Sequence, residues 1–122
     1  MDFYVPMSCN FLVAGHIHLI KKLQKKGNVI IGLLTSKALK GYKKEITPYK
    51  ERLEILQALD FCLDIVPQDS LDPYENLKEY KCNYLVSGDG FEEVERKSAK
   101  KLGVKLLSIK SGSPTHASDI KL

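Results

Sequence analysis

Residues 29–35 read VIIGLLT, an unbroken apolar run of the kind that forms a strand buried on both faces. Four shorter β-prone runs accompany it: FYVPM (3–7), CLDIVP (62–67), NYLVSG (83–88) and VKLLSI (104–109), so five strands are predicted. Between the first two runs the apolar period changes. Ile17, Ile20 and Leu23, with Leu19 beside them, fall on one helical stripe opposite Lys21, Lys22, Lys25 and Lys26. This predicts a helix starting at His16 and ending at Gly27. Thr47-Pro48 reads as an N-cap with proline at the first helical position, opening a helix that turns Leu53, Leu56 and Leu59 inward. Asp72-Pro73-Tyr74-Glu75 resembles a capping box. A further helix over 91–102 stops at Gly103. KSGSPT (110–115) is a loop, and HASDIKL (116–122) is at best a short terminal helix.

Strand and helix thus alternate five times over short connections. The pattern predicts an α/β fold: a single doubly wound domain over residues 1–122, with a five-stranded parallel sheet covered by helices on both faces. Ligands of such sheets bind outside the carboxyl ends of the strands, where the strand order reverses. The loops at that edge would be 8–15, 36–46, 68–72, 88–90 and 110–115.

Composition narrows the function classes. An apolar content of 43% and a charged content of 28% are those of an ordinary globular protein. No apolar stretch approaches the roughly 20 residues of a membrane span, so no membrane role is expected. The start, MDFYVPMSCN, has no basic and apolar leader pattern and reads as a strand. Cys9, Cys62 and Cys82 form no C-x-x-C pair, so neither a disulfide framework nor a zinc site is expected, and the cytoplasm is the default compartment. Charge is uneven. Residues 1–52 carry ten Lys/Arg against three acids, whereas residues 53–122 carry nine against twelve. The basic half points to an anionic partner. Because 17 of the 19 basic residues are Lys and no aromatic platform interleaves them, a small phosphorylated ligand suits better than nucleic acid.

The loop after strand one ends in Gly15-His16 at a helix start. Such an end offers unpaired N–H groups and a positive dipole to an anion. Gly15 permits close approach of a phosphate to the backbone, and the imidazole of His16 can donate to a phosphate oxygen. Lys43 and Lys44 lie in the next loop along the same edge. Neither G-x-G-x-x-G after strand one nor G-x-x-x-x-G-K-[ST] occurs. No Ser-His-Asp set, paired carboxylates or His/carboxylate metal cluster is readable. A reaction whose nucleophile is already an anion needs none of these. Attack of a phosphate or phosphonate oxygen on the α-phosphorus of a nucleotide is one such case, and it reduces to positioning and charge neutralisation.

With these residues the chain resembles the cytidylyltransferase-like nucleotidyltransferases, whose signature is H-x-G-H between strand one and the first helix, on a Rossmann-like fold. Within them it is most similar to the small cytidylyltransferases of phosphonate biosynthesis, the group associated with phosphoenolpyruvate mutase. Glycerol-3-phosphate cytidylyltransferase is a more distant likeness. The resemblance runs through GHIHLIKKLQKKGNVIIGLLTSKALKGYKKE, TPYKERLEILQAL, DIVPQDSLDPYENL and YLVSGDGF. It implies CTP with Mg²⁺, a small phosphonate or phosphate acceptor and a homodimer. It places His16 at the second motif His on the nucleotide phosphates and Gly15 at the motif glycine. Lys43 and Lys44 fall at the lysines near triphosphate and acceptor, and Arg52 at the arginine of the following helix. Gly88-Asp89 open the stretch that holds ribose and base, and Ser118 falls in a C-terminal hydroxyl-rich motif. Ser8, Cys9, Asn10 and Val13 belong to the first nucleotide-binding loop. Cys9, with no base or metal partner readable, is equally a small core residue.

The chain departs from that pattern at several positions. Val13 stands at the first motif His, Asn10 at the usual Asp, Gly90-Phe91 at a second Asp and a Trp, and His116-Ala117 at two terminal hydroxyl residues. His116 is either a loop residue or a phosphate contact. His18 does not replace Val13, since two helical residues carry it about 200° round the axis from His16. Two functions follow: cytidylyl transfer weakened at Val13, or a nucleotide-binding module without turnover.

Overall fold

The apolar run 29–35 becomes β2, Asn28–Leu34, in which every residue after Asn28 is buried. It pairs in parallel with β1, Asp2–Met7, over six registered positions from Asp2 with Asn28 to Met7 with Leu33. The computed structural model describes residues 1–10, 14–59, 64–88 and 90–109. β3 (Asp64–Gln68) joins the free side of β2, while β4 (Tyr84–Ser87) and then β5 (Lys105–Ser108) extend the sheet beyond β1. The order is β3-β2-β1-β4-β5 and every pairing is parallel, so the order reverses between β1 and β4. This is the five-stranded α/β sheet the alternation predicts.

Successive strand residues face opposite sides of a sheet, and two cores result. Phe3, Val5 and Met7 of β1 pack with Val29, Ile31 and Leu33 of β2 beneath helix α1 (Ala14–Gln24) and helix α3 (Tyr49–Gln57). Leu19, Ile20 and Leu23 supply the α1 side, while from α3 Leu56 is fully buried and Leu53 packs partly buried. On the other face Tyr4, Ile30 and Leu85 meet Leu77 of α4 (Tyr74–Tyr80) and Ala99 of α5 (Glu93–Leu102). Gly103 closes α5 in the left-handed conformation, as its position after the apolar stripe predicts. Among the described residues no helix is long and apolar enough to cross a membrane.

Local chemistry differs from expectation at four places. Helix α1 begins at Ala14, so Gly15-His16 lie inside its first turn. The loop 36–46 contains a one-turn helix, α2 (Ser36–Leu39), whose first turn is capped by Thr35 accepting from the Ala38 N–H. Thr47 does not cap α3: Pro48 takes that place, and the Thr47 hydroxyl donates instead to the Asn10 carbonyl at 3.1 Å. The box expected at Asp72 and Glu75 does not close. Pro73 holds the cap position, and Asp72 accepts from the Tyr74 N–H at 3.0 Å and from the Ser98 hydroxyl. A reciprocal box does form at Glu92 and Glu95, at the start of α5. The strand expected at 62–67 is described from Asp64, and the expected terminal helix lies outside the described residues.

Between the sheet and α4 runs a buried polar chain. The Tyr4 hydroxyl donates to Gln68 Oε1 at 2.7 Å and accepts from Asn76 Nδ2 at 2.8 Å, while Gln68 Nε2 donates to the Ser70 carbonyl at 2.8 Å. Burial pushes the Tyr4 phenol well above its ordinary pKa, so it remains a donor. Gly32 makes room for this chain, since a Cβ there would sit 2.0 Å from Tyr4 Oη and 2.8 Å from Gln68 Oε1. Gly32→Ala should therefore destabilise the fold by about 1–3 kcal/mol through overpacking. Urea unfolding measures it, and an unchanged midpoint would show that Tyr4 moves aside without loss.

Candidate functional site

At the carboxyl edge of the sheet, over the β1/β4 reversal, lies a cavity of about 260 Å³. That approaches the roughly 300 Å³ at which small-molecule sites begin. Several connections contribute to its walls. The chain leaving β1 contributes Ser8 and Cys9, the first turn of α1 contributes His16, and the segment after α2 contributes Lys43. The end of β4 contributes Gly88, followed by Gly90 and Phe91. A larger groove of about 600 Å³ opens at the opposite edge and also carries lysines (Lys78, Lys81, Lys105). It borders the carbonyl-bearing C-terminal ends of α4 and α5, a polarity that opposes anions.

The turn out of β1 is sharp. Cys9 adopts φ +53°, a left-handed conformation that is uncommon outside glycine and costs a non-glycine residue about 1–2 kcal/mol. Burial lifts its thiol to about pKa 11, against the lowering influence of the Arg52 charge. The group therefore stays a thiol at neutral pH, in a wall position, donating to Met7 Sδ at 3.8 Å. His16 is half-buried and faces the cavity, whereas His18 is exposed. Gly15 is buried beside His16. On the far side, Gly90 takes φ +100°, and its carbonyl accepts from the Ser87 hydroxyl, which folds the post-β4 turn against the strand.

The predicted positions divide into three groups. His16, Lys43, Ser8, Cys9 and Gly88 line one cavity. Gly15, Lys44, Asn10 and Arg52 do not line it. Lys44 is exposed, and its carbonyl accepts from Asn10 Nδ2 at 3.0 Å. Arg52 is fully buried on α3, with its guanidinium directed at backbone carbonyls and Glu45. Val13, Asp89, His116 and Ser118 lie outside the described residues.

Residues not foreseen also line the cavity. Gln68, at the end of β3, has its amide held by Tyr4 and Ser70. Glu92 and Glu95 line the cavity while making the α5 capping box, and burial raises the Glu95 carboxyl above the usual range. The E-x-x-E spacing before α5 was the available signal for the box. Nothing local marks Gln68, whose role depends on Tyr4, 64 residues away. Among the described residues no group of three or more His, Cys, Asp or Glu is placed to hold a metal ion.

Comparison with known proteins adds a family to this geometry. The profile of the family described as Cytidylyltransferase-like matches residues 8–114, from the wall residue Ser8, just after β1, through β2, β3, β4 and β5. The chain belongs to the cytidylyltransferase-like family. The coarse activity that goes with it is nucleotidyl transfer from a nucleoside triphosphate. No curated protein matches the chain significantly. Among solved structures it is similar to the lipopolysaccharide core biosynthesis protein from Thermoplasma volcanium GSS1, with 24% identity and a TM-score of 0.76 over 93% of this chain and 98% of that one. A protein of unknown function from Archaeoglobus fulgidus is 18% identical, with a TM-score of 0.62 over 88% of this chain and 96% of that one. At those identities the likeness concerns the fold. This cytidylyltransferase-like chain therefore carries the family's sheet, with its cavity at the order reversal.

Proposed function

We propose that the cavity binds CTP with Mg²⁺ and that the chain transfers CMP to a small phosphonate or phosphate, releasing pyrophosphate. The observation that carries the reading is the convergence of His16, in the first turn of α1, and Lys43 on one cavity in a chain of this family. An anionic oxygen of the acceptor forms a bond to the α-phosphorus. The bond from that phosphorus to the oxygen bridging to the β-phosphate breaks, and pyrophosphate leaves with the electron pair. No proton has to be removed, so the chain's work is orientation and charge neutralisation. The N–H groups opening α1 and the His16 imidazole would hold triphosphate oxygens, with Gly15 allowing their approach. Lys43, with Lys44 beside it, would offset charge as it shifts toward the leaving group. Gly88 and Asp89 would hold ribose and base, and His116 and Ser118 would approach from the terminal segment. Mg²⁺ would accompany the nucleotide as its counter-ion and supply neutralisation of phosphate charge.

Val13 favours a second reading, a module that binds the nucleotide without turning it over. Both readings require binding. Calorimetry with CTP–Mg²⁺ should give a saturable heat, and His16→Ala should weaken the affinity by roughly tenfold or more, the value of a hydrogen bond to a charged group. His18→Ala should leave it unchanged, since His18 is exposed. No heat and no thermal shift at millimolar CTP would refute both readings, and equal losses from the two histidines would refute the role given to His16.

A further inference from the structure

The segment carrying Lys43 and Lys44 is tied down on both flanks by side chains that do not line the cavity. On one flank Asn10 reads the segment as a strand partner would. Its Nδ2 donates to the Lys44 carbonyl at 3.0 Å, its Oδ1 accepts from the Ile46 N–H at 3.1 Å, and its own carbonyl accepts from the Thr47 hydroxyl at 3.1 Å. On the other flank the Glu45 carboxylate accepts from the Ser36 hydroxyl at 2.6 Å and from Arg52 Nη2 at 2.7 Å. Those partners hold the Glu45 carboxyl below its ordinary pKa, Ser36 contributing most.

Arg52 joins this to the sheet. Its guanidinium is wholly buried, and the donors not given to Glu45 go to the Thr47 carbonyl at 2.7 Å, the Ser8 carbonyl at 2.7 Å and the Leu34 carbonyl. Ser8 follows β1 and Leu34 ends β2. One planar, permanently charged fork thus fastens two strand ends and the lysine segment together, a task the single ammonium point of lysine could not perform. All its partners sit at the carboxyl edge, where the cavity lies.

We propose that Asn10, Glu45 and Arg52 are positioning residues that hold segment 43–47 against the strand ends, so that Lys43 is presented to a triphosphate bound at α1. The proposal rests on the nucleotide reading of the cavity and assigns Arg52 a role through Lys43, away from the ligand itself. A lysine held in place before binding loses less freedom on binding. The same arrangement accounts for Asn10 where the resembled family has Asp: a carboxylate can accept from Ile46 but has no donor for the Lys44 carbonyl.

A double-mutant cycle on the whole chain tests this. Glu45→Ala and Asn10→Asp each leave Arg52 donating to the Thr47, Ser8 and Leu34 carbonyls, so the chain should stay folded at the assay temperature, which a thermal melt checks. Hydrogen exchange at amides 43–47 should rise at least tenfold. Glu45→Ala should weaken CTP–Mg²⁺ binding about tenfold in the unaltered background, but less than threefold where Lys43 and Lys44 are both Ala, because positioning matters only when a lysine is there to position. Equal losses in the two backgrounds, or unchanged affinity in a chain that binds CTP, would overturn the positioning role. Absence of CTP binding by the unaltered chain would instead overturn the nucleotide reading, and exchange at 43–47 would then decide alone whether the three residues order the segment.

Discussion

Val13→His should raise kcat for CMP transfer by about 10²-fold or more, with a smaller change in CTP affinity. The reason is chemical rather than steric. Valine has no hydrogen to donate, and the resemblance to H-x-G-H puts a donor three residues before His16. A donor aimed at charge that grows in the transition state is worth about 2.7–4 kcal/mol, which is roughly 10²–10³ in rate. The ground-state triphosphate would keep its contacts with α1, His16 and Lys43, so binding should change less. In the sequence, position 13 falls between the cavity residues Cys9 and His16. Pyrophosphate release at saturating CTP reads kcat, and calorimetry reads affinity. A folded Val13→His chain with no gain would favour the binding-module reading.

Arg52→Met should destabilise the chain by about 3 kcal/mol, the low end of the 3–5 kcal/mol seen when one partner of a buried ion pair is removed. The low end applies because the Glu45 side chain keeps 30% exposure and can be rehydrated. The larger part of the cost falls on the Ser8, Leu34 and Thr47 carbonyls, which lose their donor together. Melting should fall by roughly 10 °C. Arg52→Lys should recover only part of this, since an ammonium cannot reach four acceptors in the plane of a fork. Urea titration gives the free energies. A loss below about 1 kcal/mol for Arg52→Met would mean that the guanidinium network contributes no more than an exposed ion pair.

The large elements were legible because their signals are local. Five apolar runs separated by helical stripes suffice for a parallel sheet, and Gly103 marks the end of α5 through its own backbone preference. Gly15-His16 and Lys43 stood out for the same reason: each lies where a strand hands over to the next element. What could not be read depends on distant partners. Thr47 has the sequence of a cap, yet its hydroxyl is taken by Asn10, 37 residues earlier. Arg52 looks like one more cation of a basic half, and its burial follows from carbonyls 44 and 18 residues away. Glu45 was the nearest thing to a clue. It is the one acid among the lysines of residues 37–50, seven residues before Arg52.

The central claim, that this cavity serves cytidylyl transfer to a small phosphorylated acceptor, is tested most directly by the product. The unaltered chain and Val13→His would be incubated with CTP, Mg²⁺ and a panel of small phosphonates and phosphates, and the mixtures read by mass. The account predicts a CMP–acceptor adduct with one pyrophosphate released per adduct, at least for Val13→His. Folded proteins that bind CTP yet give no adduct with any acceptor would contradict it.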